Sequence, residues 1–194
     1  MQVFLDDQPV ACSGTFPAHA LEAARVLAAN LQRLITDARI DGQPWDGDVD
    51  AIAAAKPAGV VAFSSVIINE LVGGVWNDLA ALTSTISSSQ QDAATLLQSG
   101  DVPGAMEHLE TALGGWQTLQ QGFESACAVL GSEPGELLGP STLLGDLVNQ
   151  LQLVRDAING QDWPALSDYL LDEMTELTTR WRELLLQLAR TLTA

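Results

Sequence analysis

The chain has 194 residues, enough for one large domain or two small ones. Eight Lys and Arg against 25 Asp and Glu leave a formal net charge of −17, while 47% of the residues are apolar. That excludes a disordered chain, which pairs high charge with low hydrophobicity, and it disfavours nucleic acid and anionic lipid as partners, since both need clustered Lys and Arg.

Residues 1–10 hold no basic segment and include Asp6 and Asp7, so no secretory signal is expected there. The longest weakly polar run, residues 58–68, is interrupted by Ser64 and Ser65 and is too short for a bilayer, which takes about 20 apolar residues. Cys12 and Cys127 form no CxxC pair and read as small buried thiols in a reducing cytoplasm.

Charge and periodicity both change near residue 66. Residues 1–66 carry eight acids and four bases; residues 67–194 carry seventeen acids and four bases. The first segment contains a repeat: Leu5-Asp6-Asp7-Gln8-Pro9-Val10 returns as Ile40-Asp41-Gly42-Gln43-Pro44-Trp45. Asp-Gly between strand-like runs signals a two-residue hairpin, and Pro9 and Pro44 must lie at strand starts or sheet edges because each lacks a ladder donor. Between the copies, residues 17–34 show helical spacing through Leu21, Ala24, Leu27, Ala28, Leu31 and Leu34 or Ile35, and residues 59–63 read as a last strand. The expectation is a small α+β unit of hairpin, helix, hairpin and strand.

Residues 67–194 carry four apolar stripes. The first is Ile68, Leu71 with Val72, Val75, Leu79, Leu82 and Ile86, with Trp76 beside it. The second is Met106, Leu109, Leu113, Trp116, Gln120, Phe123, Cys127 and Leu130. The third is Leu144, Leu147, Leu151, Val154 and Ile158, and the fourth runs from Leu166 through Leu170, Met174, Leu177, Trp181, Leu184 and Leu188 to Leu192. Gly100-Asp101-Val102-Pro103 and Gly160-Gln161-Asp162-Trp163-Pro164 look like one turn used twice: Gly ends a helix in the left-handed region, Asp caps the next, and Pro sits in its first turn. Residues 67–130 and 141–193 are therefore two copies of a helical hairpin, joined by a loop at residues 131–140. The predicted fold is α+β and mainly α: the small unit of residues 1–66, then an antiparallel four-helix bundle over residues 67–194.

Motifs for chemistry are sparse. His19 and His108 belong to no HExxH, and no Glu-x-x-His pair is present for a di-iron centre. Glu107 with Glu110, and Glu173 with Glu176, repeat Glu-x-x-Glu on two predicted helices, a spacing that suits Mg²⁺ in an all-α nucleotide hydrolase. That chemistry also wants Lys or Arg on the phosphates, so a solvated acidic face is the preferred reading and neither metal nor other cofactor is expected. Asp46, Asp48 and Asp50 lack the Gly and Glu of a calcium loop, since Ala51 and Pro57 occupy those places. Cys12-Ser13-Gly14 and Ser64-Ser65 have no His or acid assignable by spacing, so nucleophilic catalysis is unsupported and no enzyme is expected.

Partner binding is better supplied. Trp76, Trp116 and Trp181 suit a core, whereas Trp163 in a helix-start turn and Trp45 after a hairpin suit exposed anchors. Residues 83–91 carry no charge, and Ser87, Ser88 and Gln91 would let another helix approach closely. Gly160-Gln161-Asp162-Trp163-Pro164-Ala165-Leu166, followed by Tyr169, Leu170 and a Leu-Trp-Leu stripe, resembles the turn that opens a long helix in small bacterial flagellar export chaperones. The resemblance covers about 50 of the 194 residues and implies a cytoplasmic, non-enzymatic protein shielding an apolar helix of an exported subunit. The expected function is a cytoplasmic adaptor or chaperone-like protein that binds a basic or amphipathic helix. The alternatives are a self-associating homodimer, which light scattering would detect, and the metal-dependent hydrolase, which replacing the four Glu by Gln would test.

Overall fold

The structure is a computed structural model and describes residues 1–138 and 142–193. The chain is about 70% helical with one five-stranded mixed sheet, an α+β protein that is mainly α. It divides into two units, Met1–Leu71 and Val72–Ala194.

The first unit is built on the repeat. Strands β1 (Gln2–Leu5) and β2 (Gln8–Pro9) form one hairpin, and β3 (Arg33–Ile40) and β4 (Gln43–Pro44) form the other. Both turns hold two residues at positive φ, 49° and 63° for Asp6 and Asp7 and 49° and 81° for Asp41 and Gly42, as a type I′ turn requires. The register repeats as well: Phe4 faces Pro9 and Arg39 faces Pro44. Strand β5 (Val60–Ile67) lies between the hairpins, parallel to β1 and antiparallel to β3, giving the order β2-β1-β5-β3-β4 with both prolines on edge strands. The first Asp of each turn reaches across to β5. Asp6 accepts from the Ser65 amide at 2.8 Å and the Ser65 hydroxyl at 2.6 Å, and Asp41 Oδ1 accepts from the Gly59 and Val60 amides at 3.0 and 2.8 Å.

Helix α1 (Pro17–Asn30) covers the sheet with Ala20, Leu21, Ala24 and Ala28, against Val3, Leu5, Val61, Phe63 and Ile52 of the short 3-10 helix Val49–Ala54. Two boundaries differ from the sequence reading. Helix α1 stops at Asn30 because Gln32 turns into the left-handed region at φ 53°, and residues 33–40, with β-branched Ile35, Thr36 and Ile40, continue as a strand. Leu31 and Leu34 are accordingly exposed instead of continuing the helical stripe. The last strand is also longer than residues 59–63, extending to Ile67.

Helix α2 (Ile68–Ser99), which belongs to the second unit from Val72 onward, and α3 (Val102–Leu130) form an antiparallel hairpin. Its closeness comes from glycine: a Cβ on Gly115 would lie 2.6 Å from Ile86 Cγ1, and one on Gly122 would lie 2.8 Å from Leu79 Cδ2. Helix α5 (Leu143–Gly160) turns into α6 (Trp163–Leu171), followed by α7 (Glu173–Thr193). Polar ties join α2 to these last helices. Gln98 Nε2 donates to Ser167 Oγ at 3.1 Å, and Thr178 Oγ1 donates to Gln90 Oε1 at 3.2 Å. Arg180 of α7 pairs with Asp146 of α5 at 2.9 Å.

The core holds Trp76, Trp116 and Trp181, each at most 2% exposed, with Trp181 edge-on to Phe123 at 5.5 Å between ring centroids. Among the described residues their indole N–H groups have no hydrogen-bond partner. An orphaned donor costs about 1–3 kcal/mol, but burying a ring of about 200 Å² returns about 5 kcal/mol, so burial wins.

Several stripe assignments shift by one residue. On α2 Val72 and Trp76, both named from the sequence, are buried while Leu71 is exposed; Ala112 and Leu119 replace Leu113 and Gln120 on α3; Leu185 and Ala189 are buried on α7, with Leu184 and Leu188 only half-buried. The fourth stripe is not one helix: it breaks at Asp172, where Thr175 Oγ1 donates to the Leu170 carbonyl at 3.1 Å, a side-chain bond from five residues on. The connector expected as a loop is non-helical at residues 131–133 but then contains the helix α4 (Pro134–Leu138); its residues 139–140 and the start of the second hairpin at residue 141 lie outside the described residues.

Candidate functional site

The two Asp-capped turns of the helical unit have nearly the same geometry. Asp101 (φ −85°, ψ 75°) accepts from the Gly104 amide at 3.1 Å, and Asp162 (φ −86°, ψ 76°) accepts from the Ala165 amide at 3.2 Å. Their own amides close the preceding helices on Leu96 and Ala157, both at 2.9 Å. The left-handed residue is Gly100 in the first turn but Gln161, not Gly160, in the second. The next residue differs in kind: Val102 in one turn, Trp163 in the other.

Trp163 and Pro164 open α6, and Ser167 and Asp168 follow one turn later, so all four can serve one face. With Leu97 and Gln98 from the end of α2 they line an open cleft of about 440 Å³. Leu97 and Ser167 are buried, Trp163 is half-buried, and Gln98 and Asp168 are exposed. The Ser167 hydroxyl is used internally, donating to the Ala94 carbonyl at 3.4 Å and accepting from Gln98. The sequence pointed to Trp163 but not to its neighbours from α2, which only the fold brings there.

The other partner candidates lie elsewhere. Trp45 is half-buried against the sheet core and its indole N–H donates to the Asp48 carbonyl at 2.9 Å. Ser87, Ser88 and Gln91 line a polar groove of about 280 Å³ between α2 and α7, with Arg182 on its far wall. The buried part of residues 83–91 is covered by this chain's own α7 through Gln90 and Thr178.

Glu107 and Glu110 are exposed on α3, whereas Glu173 and Glu176 face a cleft of about 260 Å³ shared with Asp146 and Arg180. The Thr142 hydroxyl, at 2.7 Å, and Arg180 hold the Asp146 carboxyl below the usual carboxylate range. Among the described residues no group of three or more His, Cys, Asp or Glu is gathered for a metal ion.

Two constellations were not visible in the sequence. Cys12 is half-buried, not buried, and shares a cleft of about 200 Å³ with His19 and Glu22, the imidazole packed so tightly on Gly14 that a Cβ there would meet it. Cys127 is buried, and burial pushes its thiol up from the ordinary value. A cleft of about 600 Å³ in the sheet unit runs between α1, β3 and the Asp48–Asp50 turn. Its cations are already engaged: Arg25 pairs with Asp50, and Arg33 donates to Ser65 and Asp6. Ser65 thus acquires an acid but no imidazole, and its hydroxyl ties the first hairpin to β3 and β5.

No family model matches the chain, and neither the curated proteins nor the solved structures contain one similar to it. Among the described residues no helix is long and apolar enough to cross a membrane.

Proposed function

We propose that the chain is a non-enzymatic adaptor or chaperone-like protein of the cytoplasm, whose helical unit works as an antiparallel four-helix bundle and binds a basic or amphipathic helix of a partner protein. The bundle reading is supported by the glycine-seated α2–α3 hairpin, the Asp146–Arg180 pair and the Gln90–Thr178 bond, which link the long helices.

The observation that carries the partner reading is one-sided charge, in which Asp92 has His108 at 3.8 Å. Between Lys56 and Arg155 there is no Lys or Arg, and in the α2–α3 hairpin Asp78, Asp92, Asp101, Glu107, Glu110 and Glu124 are all exposed. A field of one sign steers an opposite partner and repels like-charged ones. The turn before α6 adds its likeness to flagellar export chaperones, in which case the partner helix belongs to an exported subunit.

The test is retention of a lysate protein on the immobilised chain at low and moderate salt. One near-stoichiometric protein is expected, released by salt and not retained when Asp78, Asp92, Glu107, Glu110 and Glu124 are changed together to Asn or Gln. Retention that ignores both salt and neutralisation would sink the charge-based reading.

A further inference from the structure

We propose that the cleft at Trp163 is the seat of one arginine side chain of the partner helix; this rests on the adaptor reading above.

The first argument is what the cleft has left to offer. Pro164 has no N–H, Ser167 spends its hydroxyl on the Ala94 carbonyl, and Gln98 spends an amide N–H on Ser167. Of what remains, the Trp163 indole N–H and the second Gln98 amide N–H can donate, but the charge in the lining is the exposed Asp168 carboxylate, with Gln98 Oε1 and the face of the Trp163 indole beside it. The lining contains no Lys, Arg or His. A positively charged group that trails an alkyl stem fits the carboxylate and the indole face, with Leu97 and Pro164 against the stem. Arginine is favoured over lysine because a planar guanidinium can stack on indole while pairing with a carboxylate.

The second argument is an internal control. The turn before α3 reproduces the cap angles and the Asp-to-amide bond of the turn before α6 with Val102 in the place of Trp163. The turn therefore does not need an indole. The cap geometry thus leaves the half-buried Trp163 ring, which lines the cleft, without a part in forming the turn.

The probe is a fluorescent Leu/Ala/Arg amphipathic helical peptide, with a second peptide in which each Arg is citrulline, the uncharged isostere. Trp163→Val, which copies the first turn, and Asp168→Asn are compared with the wild-type chain at low salt. The arginine peptide is expected to bind, citrulline to weaken it at least about tenfold, and each variant to weaken the arginine peptide about five- to tenfold with helicity unchanged. Should Trp163→Val lose helicity, Asp168→Asn carries the same test with the indole in place. Binding that is equal in wild type and Asp168→Asn, and in any folded Trp163 variant, would overturn the anchor and leave the adaptor reading standing. No binding of the arginine peptide to the wild-type chain would overturn both.

Discussion

The Asp6 carboxylate accepts twice from Ser65 and lies 3.2 Å from Arg33, at a residue with φ 49°. Burial pushes this carboxyl up, but the Ser65 hydroxyl and amide and Arg33 together outweigh it, so it titrates below the ordinary carboxylate range. Its folded value lies below its unfolded value near 4, so its contribution to stability is complete above that pH and is lost as pH falls through the folded value. Asp6→Asn tolerates the left-handed backbone and removes the charge. It is expected to cost about 1 kcal/mol at pH 7, with the group partly solvent-screened, and the gap to wild type in urea melts should close in acid. A gap constant from neutral to acid pH would exclude the charge as its source. Gln161 is the second residue of this kind. Its φ of 54° is a cost that Gly100 avoids at the matching turn, so Gln161→Gly is expected to stabilise the helical unit by about 0.5–1 kcal/mol. A destabilised variant would mean that the Gln161 side chain holds something the turn needs.

At the scale of elements, neighbouring glycines of α3 are expected to respond with opposite signs. Gly114 faces open space, so Gly114→Ala gains helix propensity and should stabilise by about 0.5–1 kcal/mol. Gly115 faces Ile86, which is buried, and an added Cβ at 2.6 Å forces the helices apart. Gly115→Ala should therefore cost about 1–2 kcal/mol net, overpacking exceeding propensity. Equal shifts in thermal melts of the two variants would show that α2 and α3 are not held together at this seat. The hairpins of the sheet unit were legible because Asp-Asp and Asp-Gly turns act locally, and the capped helical turns for the same reason. Helix α1 was overrun because Leu31 and Leu34 continue its spacing, and only the backbone reversal at Gln32 shows that they do not continue its face. The stripe registers slipped where small buried residues, Ala112 and Ala189 among them, do the packing that larger neighbours advertise. The break at Asp172 had no sequence signal, since Thr175 is an ordinary helix residue until it bonds back to Leu170.

At the scale of the whole molecule, the place of Trp163 was legible because a large ring in a helix-start turn is unusual, while Leu97 and Gln98 join it in one cleft only through the antiparallel return of the chain. The charge of −17 was legible at once, but its meaning divides between partner choice and solubility. Self-repulsion provides the separation. If the exposed carboxylates of α2 and α3 are crowded for a partner's sake, they oppose folding at low ionic strength, where the Debye length is about 30 Å, and relax near 0.1 M, where it is about 10 Å. Tryptophan fluorescence reads this in the helical unit, because Trp76, Trp116 and Trp181 are all in its core. Raising sodium chloride from 10 to 300 mM is expected to stabilise that unit by about 1–2 kcal/mol, a rise of roughly 3–8 °C in Tm. The variant neutralised at Asp78, Asp92, Glu107, Glu110 and Glu124 should start higher and respond less. Choline chloride should act like sodium chloride, since screening does not depend on which cation supplies it. A flat salt response in the wild-type chain would mean that the carboxylates are dispersed enough to cost nothing, and the acidic hairpin would then need no partner to account for it.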